Sequence, residues 1–222
     1  MSTYRIETRL SPNRSRRQQG EVSLIVLHST EGNFEGAVAW LCNPQSQASA
    51  HYVVPRNPQA KPILQLVPLE EKAWHAGRSQ WRGRTGVNEF SVGIEMEHFD
   101  RREDWPQEQV EAVAWLCAQI MAHLGKELEV VGHADVAVPR GRKIDPWEFP
   151  WERFRQELAH QRASPPSGEG LRPPQVRVRG QPLPEGKVRL EGGRVWVELR
   201  ALLEALGVPF RWEEETRTVE VG

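Results

Sequence analysis

Two histidines and one aspartate are spaced along the chain in a way that could build a metal site. His28 follows the apolar run SLIVL, His133 follows LEVVG, and Asp145 comes twelve residues after His133. Imidazole nitrogens and carboxylate oxygens from separate elements are common ligands of a catalytic Zn²⁺, which keeps one position open for water. If the two strands are neighbours, both imidazoles leave the same edge of a sheet, and Asp145 can fold back toward them.

The same spacing is also compatible with no metal. A single histidine at the end of a strand is most often a polar surface residue. The HExxH motif, the best-known local signature of zinc enzymes, is absent. Spacing alone therefore leaves both interpretations open.

Two further residues could supply proton chemistry. Glu95 lies inside the apolar strand SVGIEME, where a glutamate is either on a solvated face or held in a cleft as an acid or base. Lys143 lies two residues before Asp145, so both side chains can point the same way in an extended loop, although it could equally be a surface lysine. The segment AWHAGRSQWRG, which contains Trp74 and His75, suits either a saccharide–peptide groove or a corner of the core.

Hydrophobic periodicity predicts the elements that must position these residues. Helices are expected from Phe34 to Cys42, from Pro106 to Gly125, and from Trp151 to His160. Strands are expected at 21–27, 51–55, 62–68, 91–97 and 128–133.

A change of composition divides the chain. The segment 163–174, ASPPSGEGLRPP, is rich in Pro, Gly and Ser and is typical of a linker. The expected organisation is a main domain at 1–162, this linker, and a small α+β domain at 175–222, with a short helix in LRALLEALG and a terminal hairpin.

Composition argues against several classes of function. The net charge of −1 gives no general signal for nucleic acid, and the basic residues near the N-terminus are few. No apolar run approaches the roughly 20 residues of a membrane span, and the first 20 residues lack the apolar core of a secretory signal. We therefore expect synthesis in the cytoplasm, no nucleic acid partner and no stable membrane insertion. Cys42 and Cys117 are expected to be buried free thiols, and the sequence makes no prediction of the oligomeric state.

Five blocks, in this order, carry a resemblance to a known family: LIVLHST, SAHYVVP, QLVPLEEKAWHAGRSQW, NEFSVGIEME and GHADVAVPRGRKIDPW. Together they resemble the zinc-dependent N-acetylmuramoyl-L-alanine amidases, the type 2 amidase and peptidoglycan recognition protein family, over residues 20–158. The resemblance implies an α/β fold with a mixed central β-sheet flanked by helices. It also implies peptidoglycan as the partner and Zn²⁺ as the cofactor.

The resemblance also implies roles for individual residues. His28, His133 and Asp145 match the zinc ligands. Glu95 matches the proposed general base, and Lys143 matches the lysine that stabilises the tetrahedral intermediate. The implied substrate contacts are Tyr52, Trp74, His75 and Asn88. One departure is Trp147, which stands where the family more often has a glycine after K-x-D-P.

The expected function is hydrolysis of the amide between N-acetylmuramic acid and L-alanine, in a phage-type endolysin or a bacterial autolysin. The alternatives are a non-catalytic recognition module and a cytoplasmic muropeptide-recycling amidase. Non-catalytic members typically lose a metal ligand, whereas all three candidates are kept here. Residues 175–222 resemble the small stalk domain named for the N-terminal part of copper amine oxidases, so we expect a wall-binding or spacing module, with a packing appendage as the alternative.

Overall fold

A computed structural model of the chain describes residues 4–18, 21–163, 177–178, 181–183, 188–191, 194–213 and 218–221. The chain divides into two compact units, Met1–Leu171 and Arg172–Gly222. The expected domain limits at 162 and 175 remain predictions, because the linker expected at 163–174 lies outside the described residues except for its first residue.

The first unit is a mixed α/β structure. Its described strands are β1 (Ile6–Thr8), β2 (Arg14–Arg16), β3 (Leu24–Ser29), β4 (Tyr52–Val54), β5 (Ile63–Gln65), β6 (Glu71–Ala73), β7 (Gln80–Trp81), β8 (Arg84–Thr85), β9 (Ser91–Met96) and β10 (Glu129–Gly132). Its described helices are α1 (Phe34–Leu41), α2 (Gln107–Leu124), α3 (His133–Val136) and α4 (Trp151–Ala163), with 3₁₀ turns at Pro44–Ser46 and Val87–Phe90.

Six strands form the central sheet in the order β1-β5-β4-β9-β3-β10. All neighbours are parallel except β4 and β5, which are antiparallel. The long strands β3 and β9 lie side by side in the middle, in a register that pairs Leu27 with Ile94 and His28 with Glu95. Because successive side chains alternate between the two faces, each of these pairs shares a face and the two pairs lie on opposite faces.

The two faces of the sheet are covered differently. On the Leu27–Ile94 face, α2 and α4 pack through residues such as Val113 and Phe154 to form the largest core cluster. On the opposite face, α1 packs on β4 through Val38, and the chain around 76–90 packs on β3. The space on this second face that α1 and the 76–90 segment leave uncovered is where His28 and Glu95 lie.

The predicted fold class is confirmed as a mixed sheet flanked by helices. The main strands are shorter than predicted, and α2 begins after Pro106 and ends at Gly125, whose φ of 65° suits a glycine. Strands β1 and β2 were not predicted, because three-residue strands with exposed positions give no clear alternation. Cys117 is fully buried as expected, whereas Cys42 is only half-buried. No helix among the described residues combines the length and the apolar character needed to cross a membrane.

The second unit contains three antiparallel strand pairs and one helix among its described residues. They are β11 (Arg177–Val178) with β12 (Gln181–Pro182), β13 (Val188–Glu191) with β14 (Arg194–Val197), α5 (Leu199–Leu206), and β15 (Phe210–Glu213) with β16 (Thr218–Val221). The predicted short helix and terminal hairpin are therefore both present, and α5 ends at Gly207 with a φ of 66°.

Candidate active site

Strand geometry brings the two histidines together. His28 lies near the end of β3, and His133 directly follows β10, which pairs with β3 in parallel. The loop that carries Asp145 folds back on this edge, because the backbone N–H of Ala134 donates to the carbonyl of Asp145 at 2.9 Å. The sheet edge and one backbone hydrogen bond thus gather three residues that are far apart in sequence.

The three side chains form a compact, buried donor set. Oδ2 of Asp145 lies 3.0 Å from Nδ1 of His133 and 3.5 Å from Nδ1 of His28, and the imidazole rings are 4.4 Å apart between centroids. One ligand atom from each residue lies within 4.8 Å of the others. Two imidazole nitrogens and one carboxylate are the donor types that Zn²⁺ takes in catalytic sites, so the residues fit this metal.

The protonation states of this set also suit a cation. Although burial raises it, the close polar contacts with His133 and His28 hold the pKa of Asp145 far below its usual range. Burial, together with the charge of His133, lowers the pKa of His28 to about 4. At neutral pH, Asp145 is therefore an anion and His28 keeps a free lone pair, as metal ligation requires.

Glu95 faces the same space from β9. Its Oε2 atom is buried and has no hydrogen-bond partner in the described part of the chain. Burial raises the pKa of Glu95 to about 8; the charge of Asp145 acts in the same direction and that of Lys143 opposes it. A buried carboxyl with an unpartnered oxygen and a pKa near neutrality has the properties of a general acid or base.

The cleft itself has a volume of about 280 Å³ and is lined by the candidate ligands, Glu95 and Lys143. Lys143 is exposed and makes no hydrogen bond or ion pair with the described residues, so its ammonium is available to a ligand. Trp74 also lines the cleft, and Trp40 lies at its rim with 59% of its surface exposed. The site therefore combines charged groups with two indole surfaces.

Two of the expected substrate contacts do not line the cleft. Tyr52 is completely buried in the core under α2, because its register with Ile94 puts it on the face opposite Glu95; its hydroxyl accepts a hydrogen bond from Gln65. The side-chain oxygen of Asn88 accepts from the backbone N–H groups of His75 and Ala76 and does not line the cleft. Tyr52 and Asn88 are thus structural residues, and the expectation of direct contact is corrected.

His75 reaches the cleft wall, but both of its ring nitrogens are already engaged. Nδ1 lies 2.9 Å from Nε2 of His28, and Nε2 lies 3.0 Å from the hydroxyl of Ser91. Trp147, the departure from the family pattern, lies outside this cleft, with the Arg101 guanidinium 4.2 Å above its ring.

Sequence reasoning missed several residues that shape the site. The exposure of Trp40 could have been predicted from helical spacing, because Phe34, Val38 and Leu41 define the buried face of α1 and Trp40 falls outside it. No sequence pattern could have identified Ser91, because a serine at the start of a strand is not distinctive. Arg17, one of the basic residues near the N-terminus, donates to backbone carbonyls including that of Ser91.

Comparison with known proteins places this geometry in a family. The chain is 36% identical over 169 residues to the N-acetylmuramoyl-L-alanine amidase AmiD of Escherichia coli, which covers 69% of this chain and 58% of that protein. The chain thus spans less than two thirds of this relative.

Comparison with solved structures also finds AmpD and AmiD as similar proteins. A crystal structure of AmpD superposes with a TM-score of 0.59 at 27% identity, covering 71% of this chain and 96% of that one. The complex of E. coli AmiD with anhydro-N-acetylmuramic acid-L-Ala-D-γ-Glu-L-Lys superposes with a TM-score of 0.55 at 36% identity, covering 67% and 60%. The model of the family described as N-acetylmuramoyl-L-alanine amidase (Amidase_2) matches residues 18–148, more than half of the chain, and the protein therefore belongs to that family.

Proposed function

We propose that the protein is a zinc-dependent amidase that hydrolyses the bond between N-acetylmuramic acid and L-alanine in peptidoglycan. The observation that carries this proposal is the convergence of His28, His133 and Asp145 within 4.8 Å, in one cleft with the unpartnered carboxyl of Glu95. Membership of the amidase family supports the bond type.

His28, His133 and Asp145 would hold the metal. When bound there, Zn²⁺ supplies a Lewis acid that lowers the pKa of a water molecule to about 7 and polarises the scissile carbonyl. Glu95 accepts a proton from the attacking water and later delivers it to the leaving nitrogen of L-alanine. Lys143 donates a hydrogen bond to the oxygen that gains negative charge in the transition state.

The substrate class follows from the cleft and from a relative. E. coli AmiD has been crystallised with an anhydromuramyl tripeptide, and we propose that this chain binds the same class of sugar–peptide. Trp40 and Trp74 offer aromatic surfaces on which a pyranose ring can pack. The exposed ammonium of Lys143 adds a positive charge for the carbonyl and carboxylate groups of such a ligand.

The biological setting is proposed as wall degradation, in an endolysin or autolysin, with residues 175–222 as a wall-binding or spacing module. A recycling amidase that acts on soluble muropeptides is the second candidate, and similarity to AmpD, named as a 1,6-anhydro-N-acetylmuramyl-L-alanine amidase, favours it. A recognition module without catalysis is disfavoured, since the three candidate ligands, Glu95 and Lys143 all line one cleft.

Digestion experiments test these proposals. Purified sacculi and a soluble anhydromuramyl tripeptide are incubated with the protein, with chelator, and with chelator followed by excess Zn²⁺, and the products are analysed by mass spectrometry. We expect peptides with a free L-alanine amino terminus, formed only when metal is present. Cleaved glycosidic bonds with intact lactyl amides, or cleavage that is indifferent to the chelator, would refute the proposed reaction. The ratio of the rates on sacculi and on soluble tripeptide distinguishes wall degradation from recycling.

A further inference from the structure

The nitrogens of His28 and His133 that face away from Asp145 are both occupied by one short segment. Nε2 of His28 lies 2.9 Å from Nδ1 of His75, and Nε2 of His133 lies 3.3 Å from the carbonyl oxygen of Ala76. The Nδ1 atoms of both rings are the ones that face Asp145. Residues 75–76 therefore contact both candidate ligands from behind.

The hydrogen bonds behind His28 have only one consistent direction. The carbonyl of Val87 can only accept, so the hydroxyl of Ser91, at 2.7 Å, must donate its single hydrogen to it. The Ser91 oxygen then accepts from Nε2–H of His75 at 3.0 Å. In a neutral imidazole this leaves Nδ1 of His75 as an acceptor, and the hydrogen between the two rings belongs to Nε2 of His28.

We propose that His75 is a positioning residue that fixes the tautomer of His28, so that Nδ1 of His28 presents its lone pair to the metal. The carbonyl of Ala76 does the same for His133, because it can only accept a hydrogen from Nε2 of that ring. Two backbone carbonyls, those of Val87 and Ala76, thus determine which nitrogen of each histidine is the ligand. The inference rests on the proposed zinc site and assigns His75 a role other than substrate contact.

Without this chain of hydrogen bonds, the local electrostatics would favour the wrong tautomer. Oδ2 of Asp145 lies 3.5 Å from Nδ1 of His28 and, as a carboxylate, attracts a hydrogen to that nitrogen. An Nδ1–H tautomer has no lone pair on the side where the three ligands converge. A partner on Nε2 therefore keeps His28 ready for the metal, as acceptors behind metal-bound histidines do in general.

The segment that carries this role is held rigidly. The side-chain oxygen of Asn88 accepts from the backbone N–H of His75 at 3.2 Å and of Ala76 at 2.8 Å. The His75 ring lies against Gly93, where a Cβ atom would come within 2.4 Å of it. The ring can occupy this place only because β9 has no side chain there.

Two variants of the whole 222-residue chain test the proposal by zinc affinity. His75→Phe keeps a planar ring but removes the acceptor, and Ser91→Ala removes the acceptor for Nε2–H of His75. The zinc dissociation constant, measured by competition with a chromophoric chelator, is expected to rise 10- to 100-fold for His75→Phe and less for Ser91→Ala. Ser11→Ala is the matched control, because Ser11 is also fully buried and also donates to a backbone carbonyl, that of Leu41; its affinity should not change.

A spectroscopic measurement separates a tautomer effect from general loss of structure. In zinc-loaded protein with ¹⁵N-labelled histidine, NMR should show the ring hydrogen of His28 on Nε2, with a signal that shifts in Ser91→Ala and not in Ser11→Ala. Unchanged zinc affinity in both His75→Phe and Ser91→Ala, or a His28 ligated through Nε2, would overturn the inference while leaving the amidase proposal intact. If His75→Phe does not fold, Ser91→Ala decides alone. A wild-type protein that binds no zinc would overturn both proposals.

Discussion

The replacement Glu95→Gln gives a test of the candidate base that needs no substrate. Glu95 pairs in register with His28, and its Oε2 is buried without a hydrogen-bond partner among the described residues. Burial, reinforced by the charge of Asp145, raises the pKa of Glu95 to about 8. Glutamine has nearly the same shape and no charge, so the variant isolates the free energy of ionising this carboxyl.

The magnitude follows from the difference between the folded and unfolded pKa of Glu95. Moving from its ordinary value of 4.5 to about 8 corresponds to about 4 kcal/mol, after a small allowance for partial exposure, at 1.36 kcal/mol per pH unit. Because the folded pKa is raised, the contribution to stability is complete below pH 4.5 and is lost as the pH rises through about 8. Glu95→Gln should not show this loss.

The assay is urea unfolding of the metal-free protein at several pH values between 5 and 9. The free energy of unfolding of Glu95→Gln minus that of the wild type should increase by about 3 to 4 kcal/mol across this range. Glu129→Gln is the control for removal of a carboxylate, since Glu129 is exposed on β10, two strands away from β9, and pairs with Arg82; the change for Glu95→Gln should exceed that of this control. Parallel pH profiles for Glu95→Gln and wild type would refute the reasoning. With zinc bound, the same variant should retain the metal and lose 10²- to 10⁴-fold in turnover.

Three other substitutions distinguish residues that act in the reaction from residues that maintain the structure around it. Lys143→Met should lower kcat by about 10²- to 10³-fold with unchanged zinc affinity, because it removes a donor to the developing oxyanion; unchanged kcat with a raised KM would make Lys143 a binding residue. Tyr52→Phe removes one buried hydrogen bond from Gln65 and should cost about 1 kcal/mol in unfolding free energy with no change in kcat. A loss of activity at constant stability would return Tyr52 to the site. Gly93→Ala should weaken zinc binding, because the new Cβ would lie 2.4 Å from the His75 ring; chelator competition measures it, and wild-type affinity would show that the ring can move freely.

The candidate site was partly predictable because parallel strands end at a common edge. Apolar runs before His28 and His133 were enough to predict strands that deliver both imidazoles to one edge, provided that the strands were neighbours. The structure makes β3 and β10 neighbours. The spacing of Asp145 could not establish its approach, since this depends on a backbone hydrogen bond from Ala134 that no sequence pattern encodes.

The substrate contacts were predicted less well, for a reason that is local. Tyr52 was assigned from its position in a motif, without regard to the face on which it would lie. In a strand, one residue of offset moves a side chain through the sheet, and the register with Ile94 places Tyr52 in the core. Asn88 likewise has polar atoms that suit a ligand, but they are taken by the backbone of His75 and Ala76.

The alternation of side chains between the two faces of the sheet links the stability of the fold to the geometry of the site. Leu27 and Ile94 anchor β3 and β9 under α2, and their sequence neighbours His28 and Glu95 face the cleft. A slip of one residue in the pairing would bury the charged groups under α2 and expose the apolar ones. The fold would then lose the burial free energy of several apolar side chains, about 1.5–3 kcal/mol for each. The hydrophobic core beneath α2 therefore specifies the register, and the register places a candidate zinc ligand beside a candidate base. Truncations such as Leu27→Ala should accordingly disturb zinc affinity as well as stability, although Leu27 lies on the face opposite the metal ligands.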